Sequence, residues 1–161
     1  MNLSFRTVPH QTDIEKIREI VKSTGFFYDH EIDIAVELIE ERLHNGPKSG
    51  YHFVFAEADG ITAGYTCYGH ISTTKSSHDL YWIVTHNDFR GKGIGKKLMD
   101  ETYKEVIAMG GTALYAETSG REHYAPTRHF YNSLHFTLEA TLKDFYDKDD
   151  DKLIYVKRLS R

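Results

Sequence analysis

The chain has only one cysteine, Cys67, so it can form no intramolecular disulfide and no cysteine-rich zinc site. That usage fits a reducing compartment, and a cytoplasmic location is expected. Prolines number three, Pro9, Pro47 and Pro126, each where a break between elements falls. No apolar run approaches the roughly 18 residues of a membrane-spanning helix, and no membrane partner is expected. The start Met1-Asn2-Leu3-Ser4-Phe5-Arg6 lacks the pattern of a secretory leader. Positive charge is not in excess: 20 Lys+Arg against 24 Asp+Glu leave a formal net charge of −4, which argues against a nucleic-acid partner. Ten histidines occur without His-Glu-x-x-His or comparable spacing, so no metal is expected. Neither a Gly/Ser linker nor an internal repeat divides the chain, and residues 1–161 read as one domain.

What is present is enough for a core, with 40% hydrophobic and 27% charged residues. Leu3, Phe5 and Thr7 alternate as a first strand. Thr12-Asp13-Ile14-Glu15 has the form of a capping box, opening a helix with Ile14, Ile17 and Val21 on one stripe. A second helix carries Ile32, Ala35, Val36, Ile39 and Leu43 and stops at Asn45-Gly46-Pro47. Strands Tyr51 to Ala58 and Ile61 to Ile71 are joined by Asp59-Gly60, a pair suited to a tight hairpin. Asp79 to Thr85 has apolar residues on both faces, which predicts a central strand covered from both sides.

A helix bearing Ile94, Leu98, Thr102, Val106 and Met109 follows, closed by Gly110-Gly111. Then come a strand Thr112 to Thr118, a helix from about Ala125 to Leu134, and strands Phe136 to Lys143 and Leu153 to Leu159. The acidic run Asp144 to Asp151 between the last two reads as a solvated hairpin loop that could also attract a cationic amine. This order predicts an α/β fold, an α+β mixed sheet of about seven strands with helices on both faces.

The segment Val84-Thr85-His86-Asn87-Asp88-Phe89-Arg90-Gly91-Lys92-Gly93-Ile94-Gly95-Lys96-Lys97-Leu98 carries the chemistry. An apolar strand ends, and a glycine-rich turn opens an amphipathic helix. Glycines let backbone N–H groups approach a ligand, and a helix N-terminus adds positive partial charge. The arrangement is an anion site suited to phosphate or pyrophosphate. It is not a Walker A loop, because Arg90 stands where the first glycine belongs and Lys96 precedes Lys97 rather than Ser/Thr. It is not Gly-x-Gly-x-x-Gly either, since Gly95 follows Gly93 by two. A plain helix start with a tight turn is the structural alternative.

Arg90-x-x-Gly93-x-Gly95 after an apolar strand resembles the acetyl-CoA pyrophosphate loop of the GNAT superfamily of N-acetyltransferases. A second stretch, Ala125-Pro126-Thr127-Arg128-His129-Phe130-Tyr131-Asn132-Ser133-Leu134-His135-Phe136, is similar to that family's Phe-Tyr helix followed by Gly-Phe. His135 replaces the usual Gly, and Tyr124 stands where many members have Asn. The resemblance covers nearly the whole chain and implies the acyl-CoA N-acyltransferase fold. It also implies acetyl-CoA as co-substrate and direct transfer to an amine without an acyl-enzyme. Pyrophosphate would be held by Arg90, Gly91, Lys92, Gly93, Ile94, Gly95 and Lys96. Ile83, Val84 and Thr85 would lie along the cofactor, Val84 N–H serving as oxyanion donor. The thioester is expected between the ends of two diverging strands, around Val84 and Thr118.

An amine arrives mostly protonated, since an alkyl ammonium has a pKa near ~10.4. A base is therefore needed, and Asp79 and Tyr81 share one strand face by the period of two. The resemblance marks the same two positions, where arylalkylamine acetyltransferases carry catalytic histidines. It adds Glu117, which matches a glutamate of N-terminal-alanine acetyltransferases. The departing thiolate needs a proton, and Tyr131 is the candidate donor and a cofactor contact. Helical period puts Phe130 and Leu134 in the core and turns Tyr131 toward a cleft with Tyr124 and Thr127. A buried, hydrogen-bonded tyrosine is the structural alternative. The expected acceptor is a primary amine of a small molecule or amino acid, and eleven Tyr and nine Phe suit a partly apolar one. A protein N-terminus or lysine, or a non-catalytic acetyl-CoA-binding module, are the alternatives, and pairing as a homodimer is kept open.

Overall fold

A computed structural model describes residues 1–160. In chain order the elements are β1 (Leu3–Arg6), α1 (Asp13–Ser23), α2 (Asp29–Asn45), β2 (His52–Ala58), β3 (Ile61–His70), β4 (Ser77–Thr85) and α3 (Ile94–Ala108). They continue with β5 (Ala113–Ser119), α4 (Ala125–Ser133), β6 (Thr137–Asp147) and β7 (Asp150–Arg158). The strand order is β1-β2-β3-β4-β5-β7-β6, with β4 and β5 parallel and the other described pairs antiparallel. The seven-stranded mixed sheet matches the expected architecture. The chain divides into two compact units: residues 1–69 with 81–105, and residues 70–80 with the chain from Val106 on.

In the first unit, period-two alternation on β2 and β3 makes two different faces. Phe53 pairs with Cys67 and Phe55 with Tyr65, and these bulky residues pack against Ile17, Ile20, Val21, Val36 and Ile39 of α1 and α2. Thr66 lies on the other face, where its hydroxyl shares a 2.7 Å hydrogen bond with Thr102 of α3. Helices thus cover both faces of this unit, as the order of elements predicts. Asp59 and Gly60 both take positive φ, 50° and 81°, the backbone of the tight hairpin read from that pair.

Two local readings are corrected. Thr12 makes no side-chain cap to α1. The buried Asp13 takes over instead, accepting from Arg6 Nη1 and Nη2 at 2.8 Å each and from the His10 N–H at 2.6 Å. A fully buried carboxylate must be paired, so Asp13 joins β1 to α1 rather than decorating a helix start. The second correction concerns β4. Leu80 and Val84 are buried with Trp82 half-buried between them, but Tyr81 on the opposite face is 39% exposed, so this central strand is covered more completely on one side than on the other. Met109, read as part of the α3 stripe, lies beyond the helix and is exposed.

In the second unit, β5 pairs with β7 from Ala113↔Arg158 to Ser119↔Lys152, and β6 pairs with β7 outside it. The acidic run is not a loop. The register shifts between Leu142↔Lys152 and Asp147↔Asp150, with Asp144 at φ 54°, and Lys148 and Asp149 make the turn, Asp149 at φ 62°. Carboxylates stabilise that turn: Asp144 accepts from Asp149 N–H and Asp151 from Asp144 N–H, each at 2.9 Å. His135, standing where the resembled motif has glycine, has φ 64° just after α4, the left-handed position that usually takes glycine.

Replacing Asp13 with Ala should leave the Arg6 guanidinium half-buried without its bidentate partner. A loss of about 3 kcal/mol is expected. Urea unfolding checks it, and a loss below about 1 kcal/mol would refute the central role of this pair.

Candidate active site

The glycine turn is launched from the end of β4 in the first unit. Beyond Thr85, the His86 N–H donates to Ala63 O at 2.8 Å, so β4 stays attached to β3. A single 3₁₀ turn, Asn87–Phe89, follows, held by Asn87 N–H to Ser23 Oγ (3.0 Å) and Asp88 N–H to His86 Nδ1 (3.0 Å). Gly91 and Gly93 then take φ 75° and 76°, while nothing lies within 4 Å of a Cβ built on either. Backbone conformation, not lack of space, therefore calls for glycine at these two positions.

Ile94, Leu98 and Met99 are buried and anchor the first turns of α3, whereas Arg90, Gly91, Lys92, Gly93, Lys96 and Lys97 are exposed. Gly95 is half-buried. The first N–H groups of a helix have no partner within it, and here they stand at an exposed, basic turn on a 15-residue helix. The expected anion-binding segment is thus one continuous surface. Of the β4 residues expected along the cofactor, Val84 is buried and Ile83 and Thr85 are half-buried. Tyr81 belongs to this unit, its exposed ring set edge-on to Tyr51 at 5.4 Å.

The carboxylates come together in the second unit. Asp79 is the register partner of Tyr115, and Glu117 is two residues further on β5, so all three project to one face. Burial raises the Asp79 carboxyl above its ordinary range, the Glu117 charge raises it further, and the Lys152 ammonium offsets part of this. Lys152 Nζ stands 2.8 Å from Glu117 Oε2. Tyr146 on β6 is raised by burial and by the charges of Glu117 and Asp150. Asp150 is buried, accepts a short hydrogen bond from Ser119 Oγ, and has Arg121 Nη1 at 3.8 Å.

Tyr131 lies elsewhere. Ala116 pairs with Tyr155, and the Tyr131 ring packs 5.6 Å from Tyr155 and 5.2 Å from Phe136, on the face of β5 opposite Glu117. Phe130, expected in the core, is only half-buried, and Tyr131 takes the buried place beside Leu134. Burial alone pushes the Tyr131 hydroxyl well above the ordinary phenol range, so it stays protonated. The structure therefore groups Asp79 with Glu117 and sets Tyr131 across the sheet from them. Lys152, Tyr146 and Arg128 escaped the sequence reading. Arg128 donates to Ser119 O and Arg121 O at 3.0 and 2.7 Å, pinning the segment after β5. Among the described residues, no cluster of three or more His, Cys, Asp or Glu is placed to hold a metal ion, and no helix is long and apolar enough to cross a membrane.

A seven-stranded sheet with a glycine turn opening α3 after the central strand is the architecture of acyl-CoA N-acyltransferases, and comparison with known proteins agrees. The model of the acetyltransferase (GNAT) domain matches residues 49–138. A Desulfovibrio desulfuricans protein assigned to the GNAT acetyltransferases is 44% identical, with a TM-score of 0.96 over 99% of this chain and 100% of that one. The chain belongs to the GNAT acetyltransferase family. The fold is shared with the ribosomal-protein-S18-alanine N-acetyltransferase of Escherichia coli, at 17% identity and TM-score 0.76, covering 99% of this chain and 96% of that one. It is shared too with yncA of Salmonella typhimurium, solved with its cofactor acetyl-CoA, at 20% identity and TM-score 0.74, covering 100% and 96%. No curated protein sequence matches the chain.

Gly64 on β3 controls where β4 ends. A Cβ there would stand 2.7 Å from the Val84 carbonyl oxygen and 3.2 Å from Leu98 Cδ1. Because a backbone oxygen cannot step aside, Gly64→Ala should destabilise the protein by about 1–3 kcal/mol. A thermal midpoint equal to wild type would show that the β3–β4 approach is slack.

Proposed function

We propose that this protein is an acetyl-CoA-dependent N-acetyltransferase that moves acetyl directly onto a primary amine of a small molecule or amino acid. The observation that carries the reading is the exposed turn with Gly91 and Gly93 at positive φ, opening onto the N-terminus of α3. Such a turn offers converging N–H donors to a diphosphate, and Arg90, Lys92, Lys96 and Lys97 add charge around it. The Salmonella protein of the same fold holds acetyl-CoA, which supports that cofactor here. Half-buried Trp82, its ring tilted against Phe27 at 5.0 Å, with the Tyr51–Tyr81 pair, supports a partly apolar acceptor over a purely polar one.

In this reading the backbone of Ile83, Val84 and Thr85 lies along the pantetheine arm, and Val84 N–H stabilises the carbonyl oxygen as charge builds on it. A carboxylate of the Asp79–Glu117 pair, or Tyr81, takes a proton as the amine nitrogen bonds to the carbonyl carbon. When the carbon–sulfur bond breaks, Tyr131 O–H gives its proton to sulfur, and solvent restores the phenol. The raised Tyr131 hydroxyl makes that step uphill against a thiol of pKa near ~8.5, so protonation must accompany bond cleavage. Cys67 is buried and has no part in a direct transfer.

Gly93→Asp places bulk and negative charge in the turn, and calorimetry should show CoA binding weakened by at least about tenfold, a cost of ~1.4 kcal/mol. Unchanged affinity in a folded variant would remove the turn as the diphosphate site. Tyr131→Phe should lower kcat by about 10²–10⁴-fold with little change in CoA affinity, because only the hydroxyl is lost. Thiol release from acetyl-CoA across a panel of amines, amino acids and peptides measures this. A wild-type kcat in the variant, with chemistry rate-limiting, would make Tyr131 a packing residue. Faster turnover of peptides than of small amines would assign a protein acceptor.

A further inference from the structure

Lys152 on β7 is largely covered, its side chain only 15% exposed. Two partners fix its ammonium: Glu117 Oε2 at 2.8 Å and the ring of Phe145, whose centroid is 4.3 Å away. Burying a lysine stem costs rotamer freedom that an apolar residue would lose more cheaply, so packing alone does not account for it. The ammonium instead sits as a fixed charge beside the two carboxylates of the candidate site. Glu117 is tied to it directly, whereas the half-buried Asp79 feels it through space.

We propose that Lys152 is a positioning residue for acetyl transfer, anchoring the Glu117 carboxylate so that Asp79 accepts the proton from the attacking amine. The proposal rests on the acetyltransferase reading above. If Glu117 took the proton, its ion pair with a mostly covered ammonium would be lost at each turnover, and an unpaired buried charge is costly. Asp79 gains a proton without breaking that pair. Its protonated form is also favoured by burial and by the Glu117 charge. The proton balance is complete: nitrogen loses one proton to Asp79 as the carbon–nitrogen bond forms, and sulfur leaves and is protonated by Tyr131 or water. The charges that act on Asp79 are Glu117 on β5 and Lys152 on β7, and Tyr115 is its register partner; Tyr146 on β6 and Asp150 on β7 lie near Glu117, and Arg121 beyond β5 lies near Asp150.

Carbon-13 carboxyl NMR titration of the cofactor-free protein reads the Asp79 midpoint, and thiol release with the best amine reads the acid limb of kcat/KM. In Lys152→Gln both should move to higher pH, because a cation that favours the carboxylate is gone. In Glu117→Gln both should move to lower pH, because an anion that opposes ionisation is gone. Lys152→Arg should restore the wild-type midpoint and limb. Asp79→Asn should lower kcat by about 10²-fold or more, and Glu117→Gln by clearly less. Opposite shifts from two variants one ion pair apart are not produced by a role in packing alone. An Asp79 midpoint and acid limb unmoved in Lys152→Gln, while wild type turns over, would overturn the proposal and leave the acetyltransferase reading standing. Loss of kcat in Glu117→Gln equal to that in Asp79→Asn would also overturn it. A wild type that releases no thiol with any amine, whatever the midpoints do, would sink the acetyltransferase reading and the proton-transfer role with it.

Discussion

The close approach of β3 and β4 at Gly64 is the constraint on which the first unit depends. With only a hydrogen at that position, the Val84 carbonyl and the Leu98 side chain of α3 can close over β3, and His86 N–H continues the contact to Ala63 O. The end of the central strand is thereby fixed in place before the chain leaves the sheet. A turn that presents backbone N–H groups binds an anion well only if its donors are already aimed, because ordering them at the moment of binding costs free energy. Here the aim is set by packing beneath the turn: Ile94, Leu98 and Met99 bury the underside of α3 while Arg90 to Gly93 stay in solvent. Rigidity below and exposure above come from a single amphipathic start to one helix.

In the second unit, the period of two along β5 does the equivalent work. Glu117 goes to one face with Asp79, and Ala116 to the other with Tyr155 and Tyr131. The carboxylates and the tyrosine therefore have different environments. The carboxylates lie among charges and partly in water, whereas the Tyr131 hydroxyl is raised by burial among aromatic rings. Burial raises both the Asp79 carboxyl and the Tyr131 hydroxyl above their ordinary ranges, and neighbouring charges act on the carboxyl alone. The end of β5 and the segment after it are pinned from α4 by Arg128 and from β7 by Asp150, so two elements hold one end of β5.

Much of this was legible in the chain. Apolar alternation on β2, β3 and β4, the Asp59-Gly60 turn, and the glycines before α3 are local signals, and each element stands where its pattern placed it. The misreadings share a cause. Thr12 and Asp13 both have cap chemistry, and the choice between them depended on Arg6, which reaches across from another element. The acidic run 144–151 has the composition of a loop, yet its carboxylates accept backbone N–H groups and a buried serine hydroxyl while β6 and β7 run on through a shifted register to Asp147↔Asp150. Phe130 and Tyr131 are adjacent and both apolar enough for the core. Only the positions of Phe136 and Tyr155 decided which one is buried.

Period and turn chemistry were sufficient by themselves to determine the order of elements, the mixed sheet and the glycine turn before α3, and the two motifs carried the resemblance to the GNAT family. They act within a few residues of each other, through backbone dihedral preference and the side-chain repeat of strand or helix, so one sequence carries them unaided. The electrostatics belong to the tertiary structure. Asp79, Glu117 and Lys152 are separated by tens of residues, and their mutual distances follow from the parallel register of β4 with β5 and the antiparallel register of β5 with β7. Charge interaction depends on distance and burial, neither of which is encoded locally, so which carboxylate is paired with Lys152 was decided only by the folded sheet.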